Sequence, residues 1–145
     1  MIGLIQRVSE ASVSVNNEVV GNIGHGMLVL LGVEKSDNDS SIEKLANKLS
    51  RYRMFSDSDG KMNLNIEQVG GEILVVSQFT LVADTQKGNR PGFSRGATPE
   101  HGEQIYNQFV SKLKSLNMAV QTGQFGADMQ VALINDGPVT FQFQV

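Results

Sequence analysis

The chain contains no cysteine. That absence excludes a disulfide framework, a thiolate nucleophile and a cysteine metal site. It also suits a reducing compartment. Histidine is scarce: only His25 and His101 occur, and neither has a companion at metal-ligand spacing. No glycine-rich phosphate loop and no dinucleotide fingerprint is present. Nothing therefore calls for a metal or an organic cofactor. The longest apolar run, Met27 to Leu31, is far short of the roughly 20 residues that a membrane helix needs. Met1-Ile2-Gly3-Leu4-Ile5-Gln6-Arg7 lacks the basic-then-apolar pattern of a secretory signal. A cytoplasmic protein with no membrane partner is expected. Positive charge is also short, with a formal net charge of −3. Phosphates dominate the affinity of proteins that grip long nucleic acids, and such proteins are usually basic. Any nucleic-acid contact here should be small and local.

What is present describes an ordinary globular chain of 145 residues, 40% hydrophobic and 19% charged. One domain spanning residues 1–145 is expected, able to bury about 70% of its unfolded surface. Ala11, Val13 and Val15 alternate with Ser12 and Ser14, the pattern of a half-buried strand. Asn16-Asn17-Glu18 reads as a turn into Val19-Val20. Met27 to Val33 is apolar except for Gly32, as in a strand covered on both faces. Ser40-Ser41-Ile42-Glu43 fits a capping box and predicts a first helix starting at Ser40, with Ile42, Leu45, Ala46, Leu49 and Tyr52 on its buried side. Ile73 to Val76 predicts a buried strand running into Ser77-Gln78-Phe79-Thr80-Leu81, followed by a polar loop from Asp84 to Ala97. Thr98-Pro99-Glu100 predicts a second helix, with Thr98 as cap and Pro99 in the first turn. Met129 to Ile134 and Val139 to Val145 read as two closing strands, with Asn135-Asp136-Gly137-Pro138 as the turn between them. The sum is an α/β fold: a compact single domain of layered β-sheets with two main helices packed on one side.

Chemistry has few candidates. His101 falls in the first turn of the second helix and His25 in a glycine turn, both ordinary solvated positions. Hydrolysis without a strong side-chain base remains open, because backbone amides can stabilise an oxyanion. Ser77-Gln78-Phe79-Thr80, at the end of a buried strand, can expose such amides; equally, it can be a strand with a polar solvent face. Lys87, Arg90 and Arg95 put three cations in one loop, either solvated or set against a few phosphates.

Four segments in order, Ile5-Gln6-Arg7-Val8, Ser77-Gln78-Phe79-Thr80-Leu81, Lys87-Gly88-Asn89-Arg90-Pro91 and Asn135-Asp136-Gly137-Pro138-Val139-Thr140, together resemble the D-aminoacyl-tRNA deacylase family. The resemblance spans essentially the whole chain. It implies a cytosolic homodimer that hydrolyses the ester joining a D-amino acid, or glycine on a non-cognate tRNA, to the 3′ acceptor end of tRNA. It implies that Ser77, Gln78, Phe79 and Thr80 form the catalytic pocket. Gly137 and Pro138 would be a Gly-cis-Pro selectivity element acting in the partner's pocket, with Arg7 supporting it. Lys87, Arg90 and Arg95 would be candidates for tRNA phosphate contacts. A general small-ester hydrolase using Ser77 or Thr80 as nucleophile, and a non-catalytic module binding acylated ligands or RNA ends, are the alternatives.

Overall fold

The computed structural model describes residues 1–145. Its first strand, β1 (Ile2–Val15), organises the rest. The first half of β1 pairs antiparallel with β3 (Gly26–Gly32), and its second half with β2 (Glu18–Ile23). Asn16 and Asn17 close the β1–β2 hairpin at φ 50° and 64°, the left-handed pair that a tight hairpin turn requires. The opposite edge of β1 carries β8 (Gln130–Gln144). β3 pairs parallel with β6 (Glu72–Ser77), and β6 parallel with β7 (Ala119–Thr122). The sheet curls until β2 meets β7: a Cβ on Gly21 would lie 2.5 Å from the Thr122 carbonyl oxygen. Only glycine permits that approach. A separate ribbon joins β4 (Phe55–Ser56) to β5 (Met62–Leu64).

Strand alternation splits the apolar residues between two cores. Met27, Val29 and Leu31 of β3, with Ile73 and Val75 of β6, face helices α1 (Asp39–Arg51) and α2 (Pro99–Ser115). Leu28, Leu74 and Val76 point the other way, onto Val8, Ala11, Val13 and Ile23 inside the curl. Both faces are covered, which is why Met27 to Leu31 reads as an unbroken apolar run.

Three local expectations need correction. The first helix does not start with Ser40 as its cap. Asn38 caps it, its side chain accepting the Ser40 N–H at 2.9 Å. Asn and Ser are about equally good caps, and the extended backbone of Asn38 puts it first in the chain. Glu43 is then free to accept from Lys112 of α2 at 2.5 Å. The strand leading into Ser77-Gln78-Phe79-Thr80-Leu81 ends at Ser77, and a short 3-10 turn occupies Phe79–Val82. Asn135-Asp136-Gly137-Pro138 is no reversal between two strands. Gln130 to Asn135 lies opposite Ser14 to Val8, and Thr140 to Gln144 continues opposite Gln6 to Ile2. The segment is a bulge in one long strand, and bulges use the same glycine and proline as turns. The second helix follows expectation: the Thr98 hydroxyl accepts the His101 N–H at 3.3 Å, and Pro99 opens the helix.

A buried charge cluster ties the start of the chain to both helices. The Met1 ammonium lies 2.6 Å from Asp37 Oδ1, and 3.2 Å from both Glu34 Oε2 and the Val145 carbonyl oxygen. Asp37 Oδ2 accepts the Glu34 N–H at 2.7 Å. The Asp37 carbonyl oxygen lies 3.0 Å from His101 Nε2 on α2. His101 is thus half-buried and partnered, whereas His25 is exposed with its ring against Phe55.

Tyr106 joins α2 to the sheet, its hydroxyl donating to the Val75 carbonyl at 2.8 Å. Burial pushes its pKa from 10.0 up to about 12. Below pH 10 the phenol is protonated in both folded and unfolded chains. Between pH 10 and 12 the unfolded chain loses the proton first, so stability must fall as pH rises. The expected loss is about 2–3 kcal/mol over that window. Urea unfolding at pH 9 and pH 12 should show this slope in the native chain and its reduction in Tyr106→Phe.

Candidate functional site

β3 and β6 are parallel, and their carboxyl ends lie side by side. Open sheets bind ligands beyond such ends. Here the Gln78 N–H makes the last rung to the Leu31 carbonyl at 2.8 Å, and β6 ends as the chain winds into the 3-10 turn. The break opens a cleft of about 520 Å³, within the range of small-molecule sites. Ser77, Gln78 and Phe79 form one side. Thr98, Pro99 and Gly102 at the start of α2 form another, and Phe125, Met129 and Val131 close it. No ionisable side chain lines it. The polar groups at hand are the Ser77 and Thr98 hydroxyls, the Gln78 amide and main-chain groups.

Phe79 is 67% exposed, and its ring stands 5.2 Å from that of Phe93 at a 45° tilt. The pair makes an open aromatic face at the cleft mouth. Thr80 does not line the cleft; its hydroxyl accepts from Gln78 Nε2 at 2.5 Å and steadies that amide. The first N–H groups of a 3-10 turn have no partner within it. Those of Phe79 and Thr80 hold this position.

Gly137, Pro138 and Arg7 stand apart from this cleft. Gly137 and Pro138 are exposed on the β8 bulge, and the peptide bond between them is cis. Arg7 is buried beneath them. Its Nε donates to the Asp136 carbonyl at 2.9 Å and lies 3.3 Å from the Asp136 carboxylate, while Nη1 donates to the Met54 carbonyl at 2.9 Å. The Asn135 side chain closes the bulge from within, accepting the Val139 N–H and donating to the Thr140 hydroxyl, each at 3.0 Å.

The basic loop is only partly where phosphates would need it. Lys87 and Arg90 are exposed and do not line the cleft. Arg95 stands 4.0 Å from Glu34. The same loop instead delivers Phe93 to the cleft.

Phe93, Phe125, Met129 and Gly102 were not singled out in the sequence. Only Gly102 carried a signal, as a glycine inside a helix. A Cβ there would stand 3.3 Å from Phe125 Cζ. The Phe125 ring also leans on Tyr106, 5.7 Å between centroids.

Comparison with known proteins agrees with this architecture. A chain from Alteromonas mediterranea named D-aminoacyl-tRNA deacylase is 81% identical over 145 residues, covering 100% of both chains. Chains of the same name from Pseudoalteromonas atlantica and Escherichia coli O81 are 64% and 59% identical, again over 100% of both chains. A solved structure described as c-Myc DNA Unwinding Element Binding Protein superposes with a TM-score of 0.95 at 38% identity, covering 100% of this chain and 99% of that one. Another, described as a probable eukaryotic D-amino acid tRNA deacylase, has a TM-score of 0.84 over 99% of this chain and 98% of its own; at 17% identity it speaks to the fold alone. A family model described as D-Tyr-tRNA(Tyr) deacylase matches residues 4–144, and with these full-length relatives it establishes that the chain belongs to that family.

Proposed function

We propose that this chain hydrolyses the ester joining a D-amino acid, or glycine on a non-cognate tRNA, to the 3′ acceptor end of tRNA, in the cytoplasm. The observation that carries this reading is the cleft at the broken end of β6, which holds hydrogen-bonding groups but no ionisable side chain. Such a site suits a substrate that is already activated. An aminoacyl ester needs orientation and polarisation more than a strong base. The unpartnered Phe79 N–H at the cleft wall is the candidate donor to its carbonyl, worth about 3 kcal/mol against a developing oxyanion. Ser77 and Gln78 shape the pocket, and Phe79 offers a ring to the terminal base. The substrate's own ribose 2′-hydroxyl supplies the proton-transfer route that the pocket lacks.

Selectivity is assigned to Gly137 and Pro138. They are exposed and do not line their own cleft, which suits action in the pocket of a second copy within a homodimer. Two carbonyl oxygens directed at the substrate's amino group put a wall where an L side chain would project. Exclusion then works by clash. Glycine has nothing to exclude. Lys87 and Arg90 remain free for nearby phosphates, with Arg95 a weaker candidate because Glu34 stands beside it.

The test is a parallel deacylation assay on D-tyrosyl-, L-tyrosyl- and glycyl-tRNA. The expected result is release from the D and glycyl substrates at rates at least 100-fold above the L substrate. Equal turnover of the two enantiomers would overturn the reading.

A further inference from the structure

Helix α1 carries a row of cations that nothing in the chain neutralises. Lys44, Lys48 and Arg51 fall at i, i+4 and i+7, on one face of the helix. All three are exposed and none takes part in an ion pair. Arg53 follows, also exposed. Four of the chain's 12 Lys and Arg thus lie between residues 44 and 53, a local excess in a protein of negative net charge. The one acid beside the row, Glu43, is taken up by Lys112. The acids of α2, Glu100 and Glu103, lie at its amino end, beside the cleft.

The row is fixed to the bulge by two sets of contacts. Lys48 Nζ sits 4.5 Å over the ring of Phe143 on β8. Tyr52, just past the helix, meets the rings of Phe141 and Phe143 edge-on at 5.1 and 4.7 Å. Past Arg53, the Met54 carbonyl accepts from Arg7, whose Nε holds Asp136. The end of the row is thus tied through Met54 and the buried Arg7 to the strand segment that carries Gly137 and Pro138.

We propose that Lys44, Lys48 and Arg51, with Arg53 at the end of the row, form a docking strip for the phosphate backbone of an RNA duplex: the acceptor stem of the tRNA whose 3′ end the Gly137-Pro138 bulge inspects. This rests on the deacylase reading and names where that substrate's stem lies. Charge selects a polyanion. From Lys44 to Arg51 the helix rises about 10 Å, and a duplex carries one charge per roughly 1.7 Å of axis, so the row faces several phosphates. An RNA duplex is read through its backbone rather than its deep groove, and the row offers cations without a reading head. A short strip also reconciles nucleic-acid binding with a net charge of −3. Because the row and the bulge belong to one subunit and are linked by these contacts, the stem lies against the subunit that supplies the bulge, not the one that supplies the cleft.

The experiment uses the triple variant Lys44→Gln/Lys48→Gln/Arg51→Gln, with three exposed positions and a thermal melt to check folding. Uncharged tRNA binding is followed by fluorescence anisotropy across a salt series. Deacylation is followed on D-tyrosyl-tRNA and on D-tyrosyl-adenosine, which lacks the stem. The strip predicts at least a 10-fold loss of tRNA affinity at low salt, and a log–log salt slope shallower by about 2–3. It predicts a raised KM with unchanged kcat on D-tyrosyl-tRNA, and no change on D-tyrosyl-adenosine. Unchanged tRNA affinity and slope overturns the proposal. So does an equal loss on both substrates. A native chain that binds tRNA through the strip but cleaves neither substrate would sink the deacylase reading and leave the strip standing.

Discussion

Gly137→Ala is expected to lower kcat/KM on D-aminoacyl-tRNA by about 100-fold or more at a stability cost of about 1–3 kcal/mol. Gly137 sits at φ 141°, where L side chains are rarely found. An added Cβ would lie 2.6 Å from Val139 Cγ2, 2.9 Å from the Val139 nitrogen and 3.3 Å from Arg7 Nη2. None of these neighbours yields easily. Val139 is β-branched and stiff, and its N–H is held by Asn135. Arg7 is buried and tied to the carbonyls of Met54 and Asp136. The backbone must therefore move, at a strain of about 1–3 kcal/mol. The pairing of β8 with β1 on both sides of the bulge confines that shift to a few residues. Confinement keeps the fold intact and the melting temperature within a few degrees of native, but displacing a positioning element by about 1 Å can cost 100-fold in rate. Steady-state kinetics on D- and L-tyrosyl-tRNA, with a thermal melt beside them, decide the matter. Native-like kcat/KM and enantiomer ratio in a folded Gly137→Ala protein would reduce the bulge to strand geometry.

What the sequence disclosed about this bulge, and what it hid, follows from range. The alternation of Val139, Phe141, Phe143 and Val145 marks a strand by itself. That it continues Met129 to Ile134 without reversal depends on the register against β1, at the other end of the chain. Glycine and proline mark a turn and a bulge alike. Thr98-Pro99 was legible for the opposite reason, since the cap is complete within four residues. Ser40 reads as a cap from its own four residues, but Asn38, two positions earlier and an equally good cap, takes the place. Ile2 to Val8 escaped because a strand with little exposed surface does not alternate.

The cleft divides in the same way. Ser77, Gln78 and Phe79 were legible through the motif resemblance and do line it. Phe93, Phe125 and Met129 were not, because a lone apolar residue carries no chemical signature until the fold brings it to a wall. Arg7 was legible as a member of a segment, but its task was not. Its partners Asp136 and Met54 come from β8 and from the stretch after α1, and only the assembled sheet places them around one guanidinium. Thr80 fell between: it belongs to the motif, yet it acts on Gln78 rather than on the cleft.

Asp37→Ala carries the largest expected stability effect. Asp37 is 4% exposed and is the nearest partner of the Met1 ammonium, itself fully buried. A buried ion pair is often worth little against a well-packed apolar pair, but removing one member costs about 3–5 kcal/mol because the other charge is stranded. Glu34 Oε2 and the Val145 carbonyl remain at 3.2 Å and soften the loss. Against this, the part-buried Glu34 N–H loses its acceptor, at about 1 kcal/mol, the low end for an unmade donor. The expectation is therefore about 3–4 kcal/mol, a large share of the roughly 5–15 kcal/mol that holds a domain together. The melting temperature should fall by about 10 °C. Asp37→Asn keeps the volume and one acceptor oxygen and should fall in between. The damage reaches the cleft by a short path. Asp37 precedes the cap of α1, its carbonyl faces His101 in the first turn of α2, and Glu34 bridges to Gly96 at the cleft edge. Activity in Asp37→Ala should therefore fall on warming together with the loosening of these contacts, ahead of the native chain. Urea and thermal melts of both variants give the measurement, and an Asp37→Ala midpoint equal to the native one would show that Glu34 alone suffices to hold the ammonium.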